Sequence, residues 1–337
     1  MSKFEGYTGF QTKFENYNSP EYQVLKEAFQ SMPMMDHWIA NIIEEYIYST
    51  VREYHDNGSL KLEYRTRYGE KDGEYKEWYE NGKIWEQTTY KDDKLHGEYK
   101  RWNENGQLYI EKTYVNGKMQ GEFKEWYNND HLFLQLTYVD GIRQGEWKQW
   151  HENGQLSLQT TYKDGKIHGE HKEWHDNGQL SLQQIYVDYK NQGKYKRWHK
   201  NGQLYIQTTY VDGKLQGEYK QWHENGQLKI QTKYKDGKGH GEYKTWWHNN
   251  GQLCLETTYK DGKIHGEYKR WFDNGQLWEQ TTYIDGERNG EYKRWFDNGQ
   301  LSFQTTYNDG KLHGEYKKWN ENGELISQTT YVDGFEV

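Results

Sequence analysis

The amino-acid sequence predicts a mainly β protein: an elongated, twisted array of antiparallel β-hairpins behind a short N-terminal helical cap. A fixed period is the first observation, because tryptophan recurs every 24 residues with a single interval of 25. Asn-Gly pairs keep the same period, and such pairs are typical of tight hairpin turns. Composition is the third observation: 32 Tyr, 16 Trp and 35 Gly accompany only 2 Pro, so aromatic side chains must supply most of the buried area. The periodic tryptophans are Trp78, Trp102, Trp126, Trp150, Trp174, Trp198, Trp222, Trp246, Trp271, Trp295 and Trp319.

One repeat is represented by residues 97–120. It contains two runs rich in Tyr, Trp, Thr and Ile. Asn105-Gly106 lies between the two runs, and Asn116-Gly117 follows the second. Because both dipeptides accommodate positive φ, both connections are predicted to be tight antiparallel turns. Each repeat is then one hairpin, and residues 49–337 contain twelve of them if Asn129-Asp130 is counted as a variant pair. A sheet of so many strands is expected to twist into a solenoid-like array.

The alternation of side chains predicts one buried face on the second strand of each hairpin. In one repeat this face carries Leu156, Leu158, Thr160 and Tyr162. The first strand is less regular, since Tyr99 and Trp102 are three residues apart, so we expect a bulge near the tryptophan or aromatic packing on both faces. Rows of Glu and Lys, such as Glu98 and Lys100 with their equivalents, are expected to form a solvated face, with about 9.6 Å between equivalent residues.

Residues 1–48 differ in composition and predict two helices. Ser19-Pro20-Glu21 is a good helix start, and apolar residues follow it at helical spacing. A second apolar stripe runs from Trp38 to Ile47. This segment is interpreted as a cap on the first hairpin or, alternatively, as a short recruitment module.

Charge and cysteine content exclude several classes of protein. The 44 basic and 52 acidic residues alternate and give a net charge of -8, so no nucleic-acid partner is expected. The single cysteine, Cys254, cannot form an internal disulfide. The N-terminal residues contain no apolar leader, and no run of eighteen apolar residues follows. The predicted location is therefore intracellular and cytoplasmic.

The side chains that could carry chemistry recur too regularly to predict a catalytic, cofactor-binding or metal site. Histidines follow the tryptophans, as His151 does, or precede glycines, as His168 does. Parallel side chains about 9.6 Å apart do not converge on one metal ion. The Asp-Gly pairs lack a calcium-loop pattern, and no nucleophile or phosphate-loop motif occurs. We therefore expect no enzyme activity and no cofactor.

The C-terminal segment ends just after a predicted strand, Leu325–Tyr331, which is expected to leave an open edge. Open edges favour strand pairing with another chain, so a homodimer through this edge is a hypothesis.

The repeated unit Gly-Glu-Tyr-Lys-x-Trp-x-x-Asn-Gly-Gln-Leu, followed by Thr-Thr-Tyr-x-Asp-Gly-Lys-x-His-Gly, resembles the variant form of the MORN (membrane occupation and recognition nexus) repeat over residues 49–337. The resemblance implies an elongated hairpin array that serves as a scaffold, an interaction module or a membrane-proximal module. The chain also resembles bacterial relatives that carry an antitoxin label and long arrays of giant DNA viruses, for which the location would be the host cell or the virion. Met32-Pro33 is only faintly similar to an F-box start.

A few positions depart from the repeat pattern. Asp93 and Tyr189 replace the glycine of the second turn, Asp130 replaces that of the first, and Lys194 replaces the recurring Glu. Gly239 also stands out beside His240. Because tyrosine adopts positive φ at a cost, the loop 188–192 is expected to differ locally, as a kink or a contact point. The longer interval adds one residue near Trp247.

Three functions fit the aromatic rows, if these rows are not spent on the core: a protein-interaction scaffold, a membrane-surface binder and a glycan-binding module. The scaffold is preferred, because the acidic balance disfavours anionic membranes and glycan-binding hairpin repeats carry export signals. The partner of the scaffold is not predicted. The candidate interaction residues are Trp102, Trp126, Trp150, Trp174, Trp198, Trp222, Tyr189 and Trp247.

Overall fold

The structure is a computed structural model that describes residues 48–337. The predicted helical cap lies outside the described residues, except for Tyr48, which belongs to a strand. Every regular element in the described range is a β-strand, and no helix occurs there. The chain divides into two compact units, one ending at Lys118 and the other spanning Met119–Val337.

The first unit contains three hairpins in its described part. Each strand pairs antiparallel with the next one along the chain. The strands are β1 (Tyr48–Tyr54), β2 (Leu60–Arg67), β3 (Glu70–Trp78), β4 (Ile84–Lys91), β5 (Lys94–Trp102) and β6 (Leu108–Val115).

The second unit is a meander of the same kind. Its strands also pair antiparallel in chain order, and no second layer covers them within the unit. They are β7 (Lys118–Trp126), β8 (Leu132–Val139), β9 (Ile142–Trp150), β10 (Leu156–Lys163), β11 (Lys166–Ile167), β12 (Gly169–Trp174), β13 (Leu180–Val187), β14 (Lys190–Asn191), β15 (Gly193–Trp198), β16 (Leu204–Val211), β17 (Lys214–Leu215), β18 (Gly217–Trp222), β19 (Leu228–Lys235), β20 (Lys238–Trp246), β21 (Leu253–Lys260), β22 (Lys263–Trp271), β23 (Leu277–Ile284), β24 (Glu287–Arg288), β25 (Gly290–Trp295), β26 (Leu301–Asn308), β27 (Lys311–Leu312), β28 (Gly314–Trp319), β29 (Leu325–Val332) and β30 (Phe335–Glu336).

The two turns of a repeat differ in backbone conformation. In the Asp-Gly turn both residues have positive φ, as at Asp164 (51°) and Gly165 (76°), and this agrees with the sequence prediction. In the Asn-Gly turn only the glycine does, for example Gly154 at 80°. The amide of Gly154 donates to the carbonyl oxygen of His151 over 2.9 Å, so this loop is longer and the asparagine keeps an ordinary φ. The prediction of positive φ for both residues was wrong for this turn.

A third glycine of each repeat produces a bulge that was not predicted from the sequence. Thr88 faces Tyr99, but two residues further Tyr90 faces Leu95, so β5 contains extra residues around Gly97. Gly97 has a φ of 100°. In the second unit the same glycine often divides the strand, as between β11 and β12.

The predicted bulge near the tryptophan is confirmed, but it lies on the facing strand. Arg101 pairs with Ile110 and Trp102 with Leu108, which leaves Tyr109 as the extra residue. Strand β5 is therefore regular from Glu98 to Trp102, and its alternate residues Glu98, Lys100 and Trp102 share one face. We call this the Trp face, formed by these residues and their equivalents, and we call the opposite face, which carries Tyr99 and its equivalents, the Tyr face.

The core lies on the Tyr face. Thr160 and Tyr162 are 1% and 7% exposed, and Thr305 is fully buried. Tyrosine rings of neighbouring strands contact each other at centroid distances such as 5.8 Å for Tyr219 and Tyr234. Burial raises the pKa of Tyr219 to about 12, because the phenolate would lose hydration.

One residue of the predicted buried face, Leu156, lies on the other face of the sheet. Leu158 pairs with Gln149 beside the core, whereas Leu156 pairs with Trp150 across the bulge. The extra residue between them shifts the alternation by one position. The prediction was thus wrong for Leu156, which lies opposite a tryptophan of the Trp face.

The last hairpin is partly covered at its free side. In the predicted open edge, Tyr331 and Val332 of β29 pair with Glu336 and Phe335 of β30. Leu325 and Ile326, at the other end of β29, remain 49% and 63% exposed.

Candidate interaction surface

The Trp face carries rows of Glu and Lys that pair within the first strand of most hairpins. Lys148 Nζ lies 2.7 Å from Glu146 Oε2, and Gln159 Nε2 of the next strand donates to Glu146 Oε1 over 2.6 Å. The hydrogen bonds from Lys148 and Gln159 lower the pKa of the Glu146 carboxyl. Because the side chains of Glu146 and Lys148 are 53% and 33% exposed, such a pair contributes little stability. The rows form the solvated, locally neutral surface that the sequence predicted.

The tryptophans of this face are half-buried and do not build the core. Trp102 lies in the first unit, at the end of β5, and the other row members of the candidate set lie in the second unit. The aromatic ring contacts of the described residues run along the Tyr face or lie at the turns, as between Tyr127 and Phe133, and do not involve the row tryptophans. Two strands separate successive tryptophans of the second unit, which corresponds to about 9.6 Å. The tryptophans in the second unit are Trp126, Trp150, Trp174, Trp198 and Trp222.

Turn residues of one repeat hold the tryptophan backbone of the next. Nε2 of His151 lies 3.0 Å from the carbonyl oxygen of Trp174, and Tyr127 Oη donates to that of Trp150 over 2.9 Å. Because a carbonyl only accepts, Nε2 of His151 must carry the proton. This contact accounts for a histidine row that sequence reasoning assigned only to the surface.

Trp247 does not extend the tryptophan row. It is the first residue of the loop lengthened by one residue, where its backbone amide donates to the carbonyl oxygen of Gln252 over 2.8 Å. Its Nε1 donates to the carbonyl oxygen of Trp271 over 3.3 Å, which is the same inter-repeat contact that His151 makes elsewhere. The loop absorbs the insertion, and the strand register on either side continues.

The repeat before this insertion has a weaker contact. His223 Nε2 is buried and makes no hydrogen bond of ordinary geometry with the described residues, although the backbone of Trp246 lies close enough to oppose the lowering of its pKa. Its ring lies 4.4 Å from that of His248, measured between centroids. Burial, and then the neighbouring His248, lower the pKa of His223.

Tyr189 occupies the opposite edge, in an Asp-Gly-type turn. Val187 pairs with Lys190 as equivalent residues do in other repeats, and Tyr189 has a φ of 66°. The expected local change of the loop was therefore wrong at the level of backbone pairing, because the strand register fixes the two-residue turn. The ring is 55% exposed, and Lys166 Nζ lies 4.6 Å from its centroid.

Two buried carboxylates on the Tyr face were missed. Glu86, 7% exposed, accepts hydrogen bonds over 2.7 Å from Tyr99 Oη and Arg101 Nε. Glu279, 3% exposed, lies 3.4 Å from Arg288 Nη2. The signal was present, since Glu follows Trp85 and Trp278 where most repeats place Leu or Ile.

A cleft of about 500 Å³ opens beside the first turns of the first unit. Trp78, Tyr79 and Trp85 contribute aromatic rings to its lining, and Glu77 and Glu104 contribute carboxylates. Lys61 also lines the cleft, so an ammonium group of the chain itself lies among these aromatic rings and carboxylates.

No group of three or more His, Cys, Asp or Glu side chains within residues 48–337 is arranged to hold a metal ion. Cys254 is a free, half-buried thiol. Within the same range, no helix is long and apolar enough to cross a membrane.

The fold and the aromatic surface define a tandem β-hairpin repeat protein. The sequence profile described as the MORN repeat variant matches it eleven times and covers most of the chain. The chain belongs to the MORN repeat variant family. The matched segments are residues 71–92, 95–116, 119–140, 143–164, 167–188, 191–212, 215–236, 240–261, 264–285, 288–309 and 312–333.

No curated protein matches the chain in sequence. Among solved structures, the chain is similar to one described as "Crystal Structure of TcdB2-TccC3-Cdc42", with 11% identity, 83% of this chain and 20% of that chain covered, and a TM-score of 0.16. A second, "Crystal Structure of TcdB2-TccC3-TEV", gives 13% identity, coverages of 83% and 18%, and a TM-score of 0.18. The chain thus spans about a fifth of the length of these solved chains.

Proposed function

We propose that the chain is a non-enzymatic scaffold that binds one or more partner proteins through the Trp face. Repeats of this family generally serve as scaffolds for interactions with proteins or membranes. One observation carries the choice of surface: the Tyr face packs on itself, whereas the row tryptophans stay half-buried on the opposite face.

The chemistry of the Trp face suits a protein partner. Tryptophan is enriched in the energetically dominant contacts of protein interfaces. The Glu and Lys rows neutralise each other, as Glu170 and Lys172 do over 2.8 Å, so the surface has no strong field of one sign. Anionic membranes require a basic surface, which the Trp face does not offer as a whole.

The test compares the proteins captured by the full chain and by two variants in the cell that naturally makes it. One variant carries Trp150→Thr, Trp174→Thr and Trp198→Thr; the control carries Lys163→Thr, Lys235→Thr and Lys260→Thr at exposed strand ends. Quantitative mass spectrometry should find proteins that bind the wild type and the control but are at least tenfold depleted with the Trp variant. Circular dichroism checks that both variants remain folded.

Equal capture by all three chains would contradict the proposal. Flotation with anionic vesicles separates the membrane alternative. If the wild type floats, the Trp variant does not, and no captured protein depends on the tryptophans, the partner is a membrane.

A further inference from the structure

Three departures from the repeat pattern lie close together in the second unit. Ile185 stands where most repeats place Thr, Tyr189 replaces a turn glycine, and Lys194 replaces the glutamate of the Trp face. Ile185 pairs with Glu170 on one side, and its Cδ1 would lie 3.8 Å from a Cβ atom placed on Gly193, the residue before Lys194. Ile185 and the segment 193–194 are thus neighbours across the sheet, and Tyr189 lies in the turn between their strands.

These residues create an exposed apolar patch. Ile185 and Val187, alternate residues of β13, are each 41% exposed. Tyr189 is 55% exposed, and Val211 of the next repeat is 44% exposed. Lys190 connects the two repeats, because its Cβ would lie 3.6 Å from a Cβ atom on Gly213. We call Ile185, Val187, Tyr189, Lys194 and Val211 the Ile185 patch.

The charge of the patch is also exceptional. At other repeats a glutamate two residues earlier neutralises the lysine, as Glu218 does for Lys220 over 3.1 Å. Lys194 removes that carboxylate, so neither Lys194 nor Lys196 has an ion pair among the described residues. The two neighbouring carboxylates of the row are already engaged: Glu170 by Lys172 over 2.8 Å, and Glu218 by Lys220 over 3.1 Å. Two ammonium groups thus stand without a counter-ion beside an exposed apolar surface.

The backbone supports a role beyond folding. Tyr189 keeps its positive φ of 66° at a position where glycine would fit without strain. A strained residue with an exposed aromatic ring contributes nothing to the core, and retained strain of this kind is characteristic of binding sites.

We propose that the Ile185 patch docks a partner protein segment that presents an apolar side chain flanked by carboxylates. This inference rests on the proposed scaffold function and names the chemistry of its partner. The apolar side chain covers Ile185, Val187 and Tyr189, and the carboxylates pair with Lys194 and Lys196.

The probe is a phage-displayed library of random 15-residue peptides, selected against the full chain. Binding of the recovered peptides is measured by fluorescence anisotropy against the wild type and two variants. The first carries Ile185→Thr, Tyr189→Gly and Lys194→Glu, each of which restores a residue that other repeats carry, so folding is preserved. The control carries Ile284→Thr, Val332→Thr and Lys311→Glu, which remove two exposed apolar side chains and one lysine at other repeats.

Recovered peptides should share an apolar residue with Asp or Glu on either side. They should bind at least tenfold more weakly to the first variant and equally well to the control. Replacing their carboxylates by amides should also weaken binding at least tenfold.

Three outcomes would overturn the proposal. Peptides that bind the first variant as well as the wild type, but lose binding to the Trp variant, refute the patch and leave the scaffold function standing. Failure to recover any binding peptide refutes the patch as a peptide-docking surface. Binding of the wild type, but not of the first variant, to phosphatidylserine vesicles with no peptide preference would assign the patch to a membrane.

Discussion

Tyr189 adopts a backbone conformation that is unfavourable for a residue with a Cβ atom. Its φ of 66° lies in the left-handed region, which costs a residue with a Cβ roughly 1–2 kcal/mol. We predict that Tyr189→Gly raises the free energy of unfolding by about 1 kcal/mol, measured from the urea midpoint of the full chain. Tyr189→Ala keeps the Cβ and should not stabilise. A gain of equal size with alanine would mean that removal of the exposed ring, not relief of φ, is responsible.

His223 should make stability depend on pH. Burial lowers its pKa in the folded chain, so the unfolded chain binds the proton more readily. The stabilising contribution is therefore present above the unfolded pKa, about 6.5, and is lost as the pH falls below that value. We predict that the His223→Phe variant loses less stability than the wild type when the pH is lowered from 7.5 to 5. Phenylalanine is the residue at the equivalent position of two other repeats, Phe272 and Phe296.

Urea midpoints at the two pH values measure this difference. His313→Gln is the control, because other repeats carry glutamine at that position and its imidazole is 45% exposed. If the stability of His223→Phe depended on pH as that of the wild type does, the buried nitrogen of His223 would not be responsible for the loss of stability at low pH.

At the scale of the element, the Asn-Gly turn connects neighbouring repeats. Oδ1 of Asn153 accepts from the amide of Gln155 over 3.1 Å, and its Nδ2 donates to the carbonyl oxygen of Asp176 over 2.7 Å. Each bond contributes about 1 kcal/mol. We predict that Asn153→Ala lowers the free energy of unfolding by about 2 kcal/mol and that Asn153→Asp, which keeps the acceptor, costs about half of that.

Urea unfolding of the full chain measures both values, with Glu152→Ala in the same turn as the control. Equal losses for the alanine and aspartate variants would show that the bond within the turn contributes nothing and that the inter-repeat bond acts alone.

Two glycines of β20 and β22 should respond oppositely to alanine. Gly266 has a φ of 104°, and an added Cβ would approach Thr258 Oγ1 to 2.6 Å. Gly239 has no positive φ, and an added Cβ would meet Tyr259 at 3.4 Å, an ordinary contact. We predict that Gly266→Ala destabilises by at least about 1 kcal/mol and Gly239→Ala stabilises by about 0.5 kcal/mol, measured by urea unfolding. The bulge assignment fails if both substitutions stabilise.

The elements could be predicted from the sequence because local chemistry specifies them. The dipeptide Asp164-Gly165 specifies a two-residue turn, and the alternation from Leu158 to Tyr162 specifies the buried face. The bulges were harder, since an extra residue such as Tyr109 is recognised only from the pairing of two strands. The Ile185 patch was hidden for the same reason: Ile185 and Lys194 are neighbours only across the register of β13 and β15.

At the scale of the molecule, the 24-residue period places the tyrosine row and the tryptophan row on opposite faces. On β9 and β10, Tyr162 lies in the core and Trp150 lies on the Trp face; on β25, Tyr292 and Trp295 are divided in the same way. Tyr292 is 2% exposed, and burial, followed by the nearby Glu279, raises its pKa. The aromatic rows are therefore not all consumed by the core, which the sequence alone left open.

The most direct test of this division compares the urea midpoints of two double variants. Tyr162→Thr with Tyr292→Thr removes two core rings, and Trp150→Thr with Trp295→Thr removes two rings of the Trp face from the same hairpins. The Tyr variant should lose several kcal/mol, since truncation of a buried aromatic ring costs about 3–5 kcal/mol, whereas the Trp variant should lose clearly less. A larger loss in the Trp variant would show that the tryptophans hold the array together, and the proposed binding face would have to be abandoned.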